Sequence, residues 1–597
     1  MKLLEAKDLS SGTYSGKFVS DIIAKFLIQL FNLNKVNKVY NENFEKPGID
    51  FINSVIESLE ISFEVDEKEL KKIPKTGPFI TISNYPLGGI DGLILMKIMS
   101  EIRPDFKFLA NYTLHKIEPI RQFSIPINEL EDDRLGKPSL SGIKKALYHV
   151  RDGNSLGIFP AGRASTYDSN INLITDKRWQ EPLMKFIKKA QVPVVPIYFK
   201  GANTFFYHML GNIHPLLQAM RFRKELFNNK NKEIKIRIGN PITVAEQKYF
   251  EDIAVFSRFL RAKTYALGTT VEVKKFFSPR FIPKIKKVEP IIPPVDTEIV
   301  IREIENAKTD YLLFSSGDFD VICAPYLVIP NILTEIGRLR EITFREVGEG
   351  TNKSIDIDEF DLYFNHLIVW DNKEKKIAGA YRVGKGKDIL QQYGVKGFYV
   401  QSLFKFNKKM IPTLSVSLEL GRSFIIQEYQ RKPLSLFLLW KGILYFLLKN
   451  NEYRYIVGPV SISNEFSRLS KGLIVEFFEK NYFNKILAEN VKPRNKFKIP
   501  IDYNIDNKIL LQDIGDDIQK LDKYIQDIEP QFRIPVLLKK YISLNGKIIG
   551  FNVDPKFNDC LDGLMVVDIV DIPIKTIKSF SKEINDESIL ERFKLNE

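Results

Sequence analysis

Residues Thr81 to Gly92 read TISNYPLGGIDG. An apolar run ends at Asn84 and Tyr85, passes through Pro86, Gly88 and Gly89, and resumes after Asp91 as the apolar segment 93–98. That order predicts a strand, a glycine-rich turn and a helix start, a place where enzymes mount a base and bind an anion. Around it stand other short apolar runs bounded by Gly or Pro: GPFITISNY, FKFLANYT, GNSLGIFPAG and VPVVPIYFKG, with helical stretches between them. Strand and helix in alternation predict an α/β layered domain.

Further out, KFVSDIIAKFLIQLF at 17–31 sets Val19, Ile23, Phe26, Leu27 and Leu30 against Lys17, Asp21 and Lys25. An amphipathic helix follows, docked on its own domain or on a membrane surface. Residues 273–294, VKKFFSPRFIPKIKKVEPIIPP, mix proline and lysine without a period and read as a linker. The expected domains are 1–272, a basic proline-rich linker at 273–298, and 299–597. The last opens an α+β unit with strand-like HLIVWD and KIAGAYRV and the helical LSLFLLWKGILYFLLKN.

A chain of 597 residues is too long for one hydrophobic core, and 44% hydrophobic with 27% charged residues is a globular composition. Two cysteines, Cys323 and Cys560, make neither a disulfide framework nor a four-ligand zinc site, so a reducing compartment is expected. The start of the sequence lacks the features of a signal peptide. The longest apolar run, 434–448, is broken by Lys441 and falls short of the roughly 20 residues that span a bilayer. A formal charge of +14 asks for an anionic partner, nucleic acid or anionic membrane. No basic-aromatic RNA motif or helix-turn-helix signature accompanies it, which argues against nucleic acid.

In order along the first half, Asn84 to Asp91, GIFPAGRAS at 157–165 and VPVVPIYFKGAN at 192–203 resemble the lysophosphatidic-acid-type acyltransferases. That resemblance implies a fatty acyl group moved from acyl carrier protein or coenzyme A to a hydroxyl. In the family a histidine with a nearby aspartate takes the hydroxyl proton; Asp91 matches the aspartate and Tyr85 stands where the histidine would be. A phenol with a pKa near 10 is a poor base at neutral pH. The resemblance makes Asn84, Gly88, Gly89, Phe159, Pro160, Gly162, Arg163 and Ser165 the acceptor-binding candidates, with Ala161 in place of the frequent glutamate. None of the five histidines, His115, His149, His208, His214 and His366, sits at motif spacing, and no metal is expected.

The second half contains IGRLREITFRE, DIDEFDLYFNHLIVWD, KIAGAYRV, SLELGRSFIIQEYQ and YRYIVGPVSIS between Ile336 and Asn464. This series resembles the hemolysin-like, acyl-carrier-protein-dependent N-acyltransferases that begin ornithine-lipid and glycine-lipid synthesis and share the GNAT fold. It implies an amine attacking an acyl thioester, with Glu419 as base and Arg422 orienting it or meeting a substrate carboxylate. Asp358 and Asp361 would contact the amine or position Arg340 or Arg382.

The resulting expectation is a lysophosphatidic-acid-type α/β acyltransferase domain followed by a GNAT-like α+β domain, resembling bifunctional ornithine-lipid synthases. It would hold no bound cofactor, take acyl carrier protein or coenzyme A thioesters with an amino-acid or lyso-lipid acceptor, and work on the inner face of an anionic cytoplasmic membrane. The rivals are a lysophosphatidic acid acyltransferase with a regulatory second half and a non-enzymatic lipid- or nucleic-acid-binding protein.

Overall fold

The computed structural model describes residues 33–110, 115, 117–127, 140–168, 173–201, 233–269, 288–347, 349–430, 433–499, 505–555, 557–584, 587–588 and 590. The amphipathic stretch 17–31, most of the linker, and His208 and His214 lie outside them. The chain forms two compact units, residues 1–274 with 501–531, and residues 275–500 with 532–597. Sequence had placed 501–531 in the second domain. Its two short helices, Asn507–Ile514 and Ile518–Ile528, instead bury Leu510, Leu521, Ile525 and Ile528 in the first unit.

The first unit is built on β1 (Ser62–Val65), β2 (Ile80–Ser83), β3 (Lys107–Ala110), β4 (Ser124–Pro126), β5 (Leu156–Ile158), the short pair β6 (Thr166–Asp168) and β7 (Leu173–Thr175), β8 (Val194–Lys200) and β9 (Glu233–Ile238). Seven of these make one sheet in the order β1-β9-β8-β2-β5-β3-β4, parallel throughout except for β8 against β9. The central strands β2 and β5 are buried at every residue, as a sheet covered on both faces requires. Gly157 in β5 lies so close to the Phe106 and Phe108 rings that no side chain fits there. Thus the α/β layer read from the apolar runs is present, and the opening stretch is β2, a turn, and the helix Gly89–Ile102.

The second unit contains β10 (Leu312–Ser316), β11 (Phe319–Pro325), β12 (Asn365–Asp371), β13 (Lys376–Lys385), β14 (Phe404–Phe406), β15 (Ser417–Ile425), β16 (Tyr455–Ile462), β17 (Val491–Pro493), β18 (Lys547–Asp554) and β19 (Cys560–Asp568). Eight form a sheet in the order β10-β11-β12-β13-β15-β16-β19-β18, and β14 pairs with β17 apart from it. The apolar run 434–448 is the helix Pro433–Lys449, laid on this sheet so closely that Gly442 faces Val321 and Leu367. No described helix is long and apolar enough to cross a membrane.

One irregularity decides where the second unit opens. Strands β15 and β16 run parallel and pair only from Ser417 to Glu419 against Tyr455 to Val457. Beyond Glu419, β15 pairs with β13 alone, while β16 pairs with β19 alone. The two strands therefore splay. A bulge sharpens the divergence: Ala380 faces Phe424 and Arg382 faces Gly421, which leaves Arg422 and Ser423 opposite Tyr381. Arg422 sits there at φ +55°, a left-handed conformation costing a non-glycine residue about 1 kcal/mol or more.

Candidate active sites

In the first unit, the turn after β2 is tied down by its own polar groups. Asn84 exchanges two hydrogen bonds with Phe199 of β8, donating to its carbonyl at 2.9 Å and accepting from its N–H at 2.7 Å. Gly88 takes φ +74° to start the helix, and Asp91 Oδ2 accepts the Leu87 N–H at 2.8 Å. Asp91 is wholly buried and its Oδ1 has no hydrogen-bond partner among the described residues. Burial pushes its carboxyl well above the usual range, which favours the neutral acid.

Tyr85 stacks on Phe159 with centroids 4.4 Å apart, and Phe159 stacks in turn on Phe108 at 5.5 Å. Burial, followed by the charge of Asp91, pushes the phenol up from its ordinary value. Tyr85 is thus part of an aromatic wall.

The second motif meets the first here. Ser165 donates its N–H to the Tyr85 carbonyl at 2.8 Å and its hydroxyl to Asp176 Oδ1 at 2.6 Å. Asp176 also accepts from the Tyr85 N–H at 3.1 Å and from the Trp179 indole at 3.1 Å. Sequence reading passed over Asp176, for which the only signal was its place just after the short β6–β7 hairpin; burial pushes its carboxyl up as well. Phe159, Pro160 and Gly162 form the turn, with Gly162 at φ +68° and the Gln180 amide where a Cβ would go. Gly89 begins the helix, and Arg163 stands exposed. His115 pairs with Ser124, and His149 with the Ser155 carbonyl.

In the second unit the candidate charges come together. Arg340 grips Asp361 with two bonds at 3.1 and 2.9 Å and Asp356 at 2.7 Å. Arg382 bonds Asp358 at 2.6 Å and Asp361 at 3.3 Å. Arg422 reaches Asp356 and Asp358, each at 3.3 Å, and the Tyr399 hydroxyl at 3.4 Å. The Phe557 ring lies 4.2 Å from its guanidinium. Against the burial that would raise it, Arg340 and Arg382 hold the Asp361 carboxyl far below its usual value. Asp356 was legible in DIDEFD but was not singled out. The three arginines and three aspartates cancel, so the network is an internal brace, and Arg422 has its charge matched before any substrate arrives.

Glu419 is 1% exposed and is not among the residues that line the cleft between β15 and β16. Its oxygens accept the backbone N–H groups of Tyr399 at 3.0 Å and Val400 at 2.7 Å. Burial raises it to about 7, with the amide of Val400 and the charge of Arg382 acting in the opposite direction. Arg422 makes its ion pairs with Asp356 and Asp358 instead of orienting Glu419.

The wedge between β15 and β16 is a cleft of about 760 Å³ including its open mouth. Gly421, Arg422 and Ser423 line one side and Pro459, Val460 and Ser461 the other, with Tyr381, Tyr399 and Phe557 nearby. Three carboxylates that sequence reading did not select, Glu349, Asp554 and Asp562, complete it. A cleft whose lining is part apolar and part charged can take an extended apolar or thioester chain beside a small polar group.

A family model described as "Acyltransferase" matches residues 14–274, and one described as "Acetyltransferase (GNAT) domain" matches residues 339–441. A glycine N(alpha)-acyltransferase of Phocaeicola vulgatus is 27% identical over 315 residues, 50% of this chain and 95% of that protein. A lyso-glycine lipid O-acyltransferase of Bacteroides thetaiotaomicron is 27% identical over 233 residues, 38% of this chain and 82% of that protein. The crystal structure of the LPA acyltransferase PlsC from Thermotoga maritima aligns with 40% of this chain and 84% of that chain, at 16% identity and a TM-score of 0.24.

Proposed function

We propose that this chain, a fused two-domain acyltransferase, uses its second unit to move a fatty acyl group from a thioester to the amine of glycine and its first unit to receive the hydroxyl of the resulting lyso-lipid. The observation that carries the reading is that one chain resembles both a glycine N-acyltransferase and a lyso-glycine lipid O-acyltransferase. A GNAT-type match and a splayed-strand cleft then favour the second unit for the N-acyl step. Acyl carrier protein is the proposed donor and coenzyme A thioester the alternative. Ornithine is the rival acceptor.

The first unit is proposed to bind the lyso-lipid while transferring acyl groups to it slowly. Tyr85 is held in an aromatic stack and its proton is bound more tightly than in a free phenol, so it serves poorly as a base. The excess of positive charge supports work on an anionic membrane surface, from which high salt or carbonate would release the protein.

Purified full-length protein, given acyl carrier protein or coenzyme A thioesters with glycine or ornithine, should yield an N-acyl amino acid by mass spectrometry. Adding a second equivalent of donor should give little of the O-acylated product. Absence of any N-acyl product with both donors and both amines would overturn the reading.

A further inference from the structure

Amine acylation needs a group that removes a proton, and the cleft contains one that sequence reading missed. Asp562 lies in β19 beside the splay, 3% exposed, and lines the cleft. Its Oδ1 accepts the Ser461 hydroxyl at 2.7 Å and faces the Cys560 thiol at 3.6 Å. Its Oδ2 has no hydrogen-bond partner among the described residues. A carboxylate anchored through one oxygen presents the other in a fixed direction, as a proton acceptor must. Glu349, just past the helix Pro330–Glu346, lines the same cleft, and its side chain likewise has no partner among the described residues.

Resting on the N-acyltransfer reading, we infer that Asp562 accepts the ammonium proton of the acceptor amine, with Glu349 holding that ammonium beside it. The charged groups that share the cleft with Asp562 are Asp554 from β18, Glu349, and Arg422 from β15, with Tyr381 and Tyr399 also in its lining and the Cys560 thiol against the Asp562 carboxylate. Arg422 is already matched by Asp356 and Asp358, which leaves the cleft anionic and suited to a cation. Burial raises both carboxyls to about 7, and for Asp562 the nearby Asp554 and Glu349 add to it. A base so poised accepts a proton at neutral pH.

The step balances without a co-reactant. Asp562 takes one proton from the ammonium, and the free amine attacks the thioester carbonyl carbon. The C–N bond forms, and the tetrahedral centre collapses with cleavage of the C–S bond. Of the two protons the nitrogen sheds overall, one ends on the leaving sulfur and one in solvent.

The test compares full-length wild type, Asp562→Asn and Glu349→Gln, with kcat/KM for glycine read from pH 5 to 9 and donor binding read separately. Wild type should lose activity below pH about 7. Asp562→Asn should fall by about 10²–10⁴-fold and lose that acid limb, with donor binding unchanged. Glu349→Gln should raise KM for the amine and move the limb to lower pH, because a like charge has gone.

Hydroxylamine, a weak base that arrives unprotonated, should be acylated by Asp562→Asn at close to the wild-type rate. A purely structural role would depress both nucleophiles alike and leave the limb in place, and that result would overturn the inference. So would an Asp562→Asn protein that acylates glycine normally, while the N-acyl reading stood. A wild type that acylates no amine would overturn both.

Discussion

Burial favours the neutral form of the Asp91 carboxyl and, with the charge of Asp91, holds the proton of Tyr85 more tightly than in a free phenol. A histidine at 85 changes both terms at once, since an imidazole with a pKa near 6.5 accepts a proton and an imidazolium next to Asp91 favours the carboxylate. Tyr85→His should therefore raise O-acylation of a lyso-lipid, by as much as the 10²–10⁴-fold that general-base assistance supplies. The assay runs wild type, Tyr85→His and Asp91→Asn together. Vigorous wild-type O-acylation abolished in Tyr85→Phe would instead make the phenol the catalytic group. Glu419 yields a pH prediction. Its pKa, raised from 4.5 to about 7, means that the folded state binds the proton more tightly than the unfolded chain does. That contribution to stability is complete below about pH 4.5 and is lost as the pH rises through 7. Relative to Glu419→Gln, wild type should lose on the order of 3 kcal/mol across that window, read from the thermal transition of the second unit. A constant difference between the two proteins from pH 4.5 to 8 would refute it.

Among the structural elements, turns were more legible than partnerships. NYPLGG and FPAG announce tight turns through proline and glycine, and both are found, with Gly88 and Gly162 at positive φ. Gly162→Ala should cost about 1 kcal/mol or more, through the left-handed backbone and the Gln180 amide that occupies the space of a Cβ. A drop in the melting temperature of the first unit checks it, and an unchanged melt would show that the turn relaxes freely. The Arg–Asp brace was legible as residues, because Arg340, Asp358, Asp361 and Arg382 stand in one stretch of motifs. What they do was not, since whether an arginine meets a substrate or an aspartate depends on strands far apart in sequence. Asp562 was hidden for the same reason. It sits in the ordinary strand CLDGLMVVD, and only the splay of β16 from β15 turns its neighbourhood into a cleft.

At the scale of the whole molecule, the division into two units was legible in the proline- and lysine-rich stretch near 273–294, and the excursion at 501–531 was not. An amphipathic helix announces that it packs, without saying on which core. The structure supplies the reason. Asp527 accepts from the Asn240 side chain at 2.6 Å and lies 3.5 Å from Lys263 and 3.7 Å from Lys72, all in the first unit. The Lys263 ammonium lies 3.5 Å from the Tyr524 ring. Lys263 is almost fully buried, its ion-pair partner among the described residues is Asp527, and a buried cation stripped of its partner is strongly destabilising. Together with the lost burial of Leu510, Leu521, Ile525 and Ile528, a protein ending at Lys274 should be less stable in its first unit by on the order of 5 kcal/mol, enough to unfold a marginal domain. The experiment purifies residues 1–274 alone, then with residues 501–531 joined by a flexible linker, and follows each by thermal denaturation. The joined protein should recover a cooperative transition that the shorter one lacks. Asp527→Ala in the full-length chain should lower the same transition by a smaller amount, because it removes the charge partner and leaves the apolar contacts. If residues 1–274 fold alone with undiminished stability, the segment is an ornament on a complete domain and the first unit ends where the linker begins.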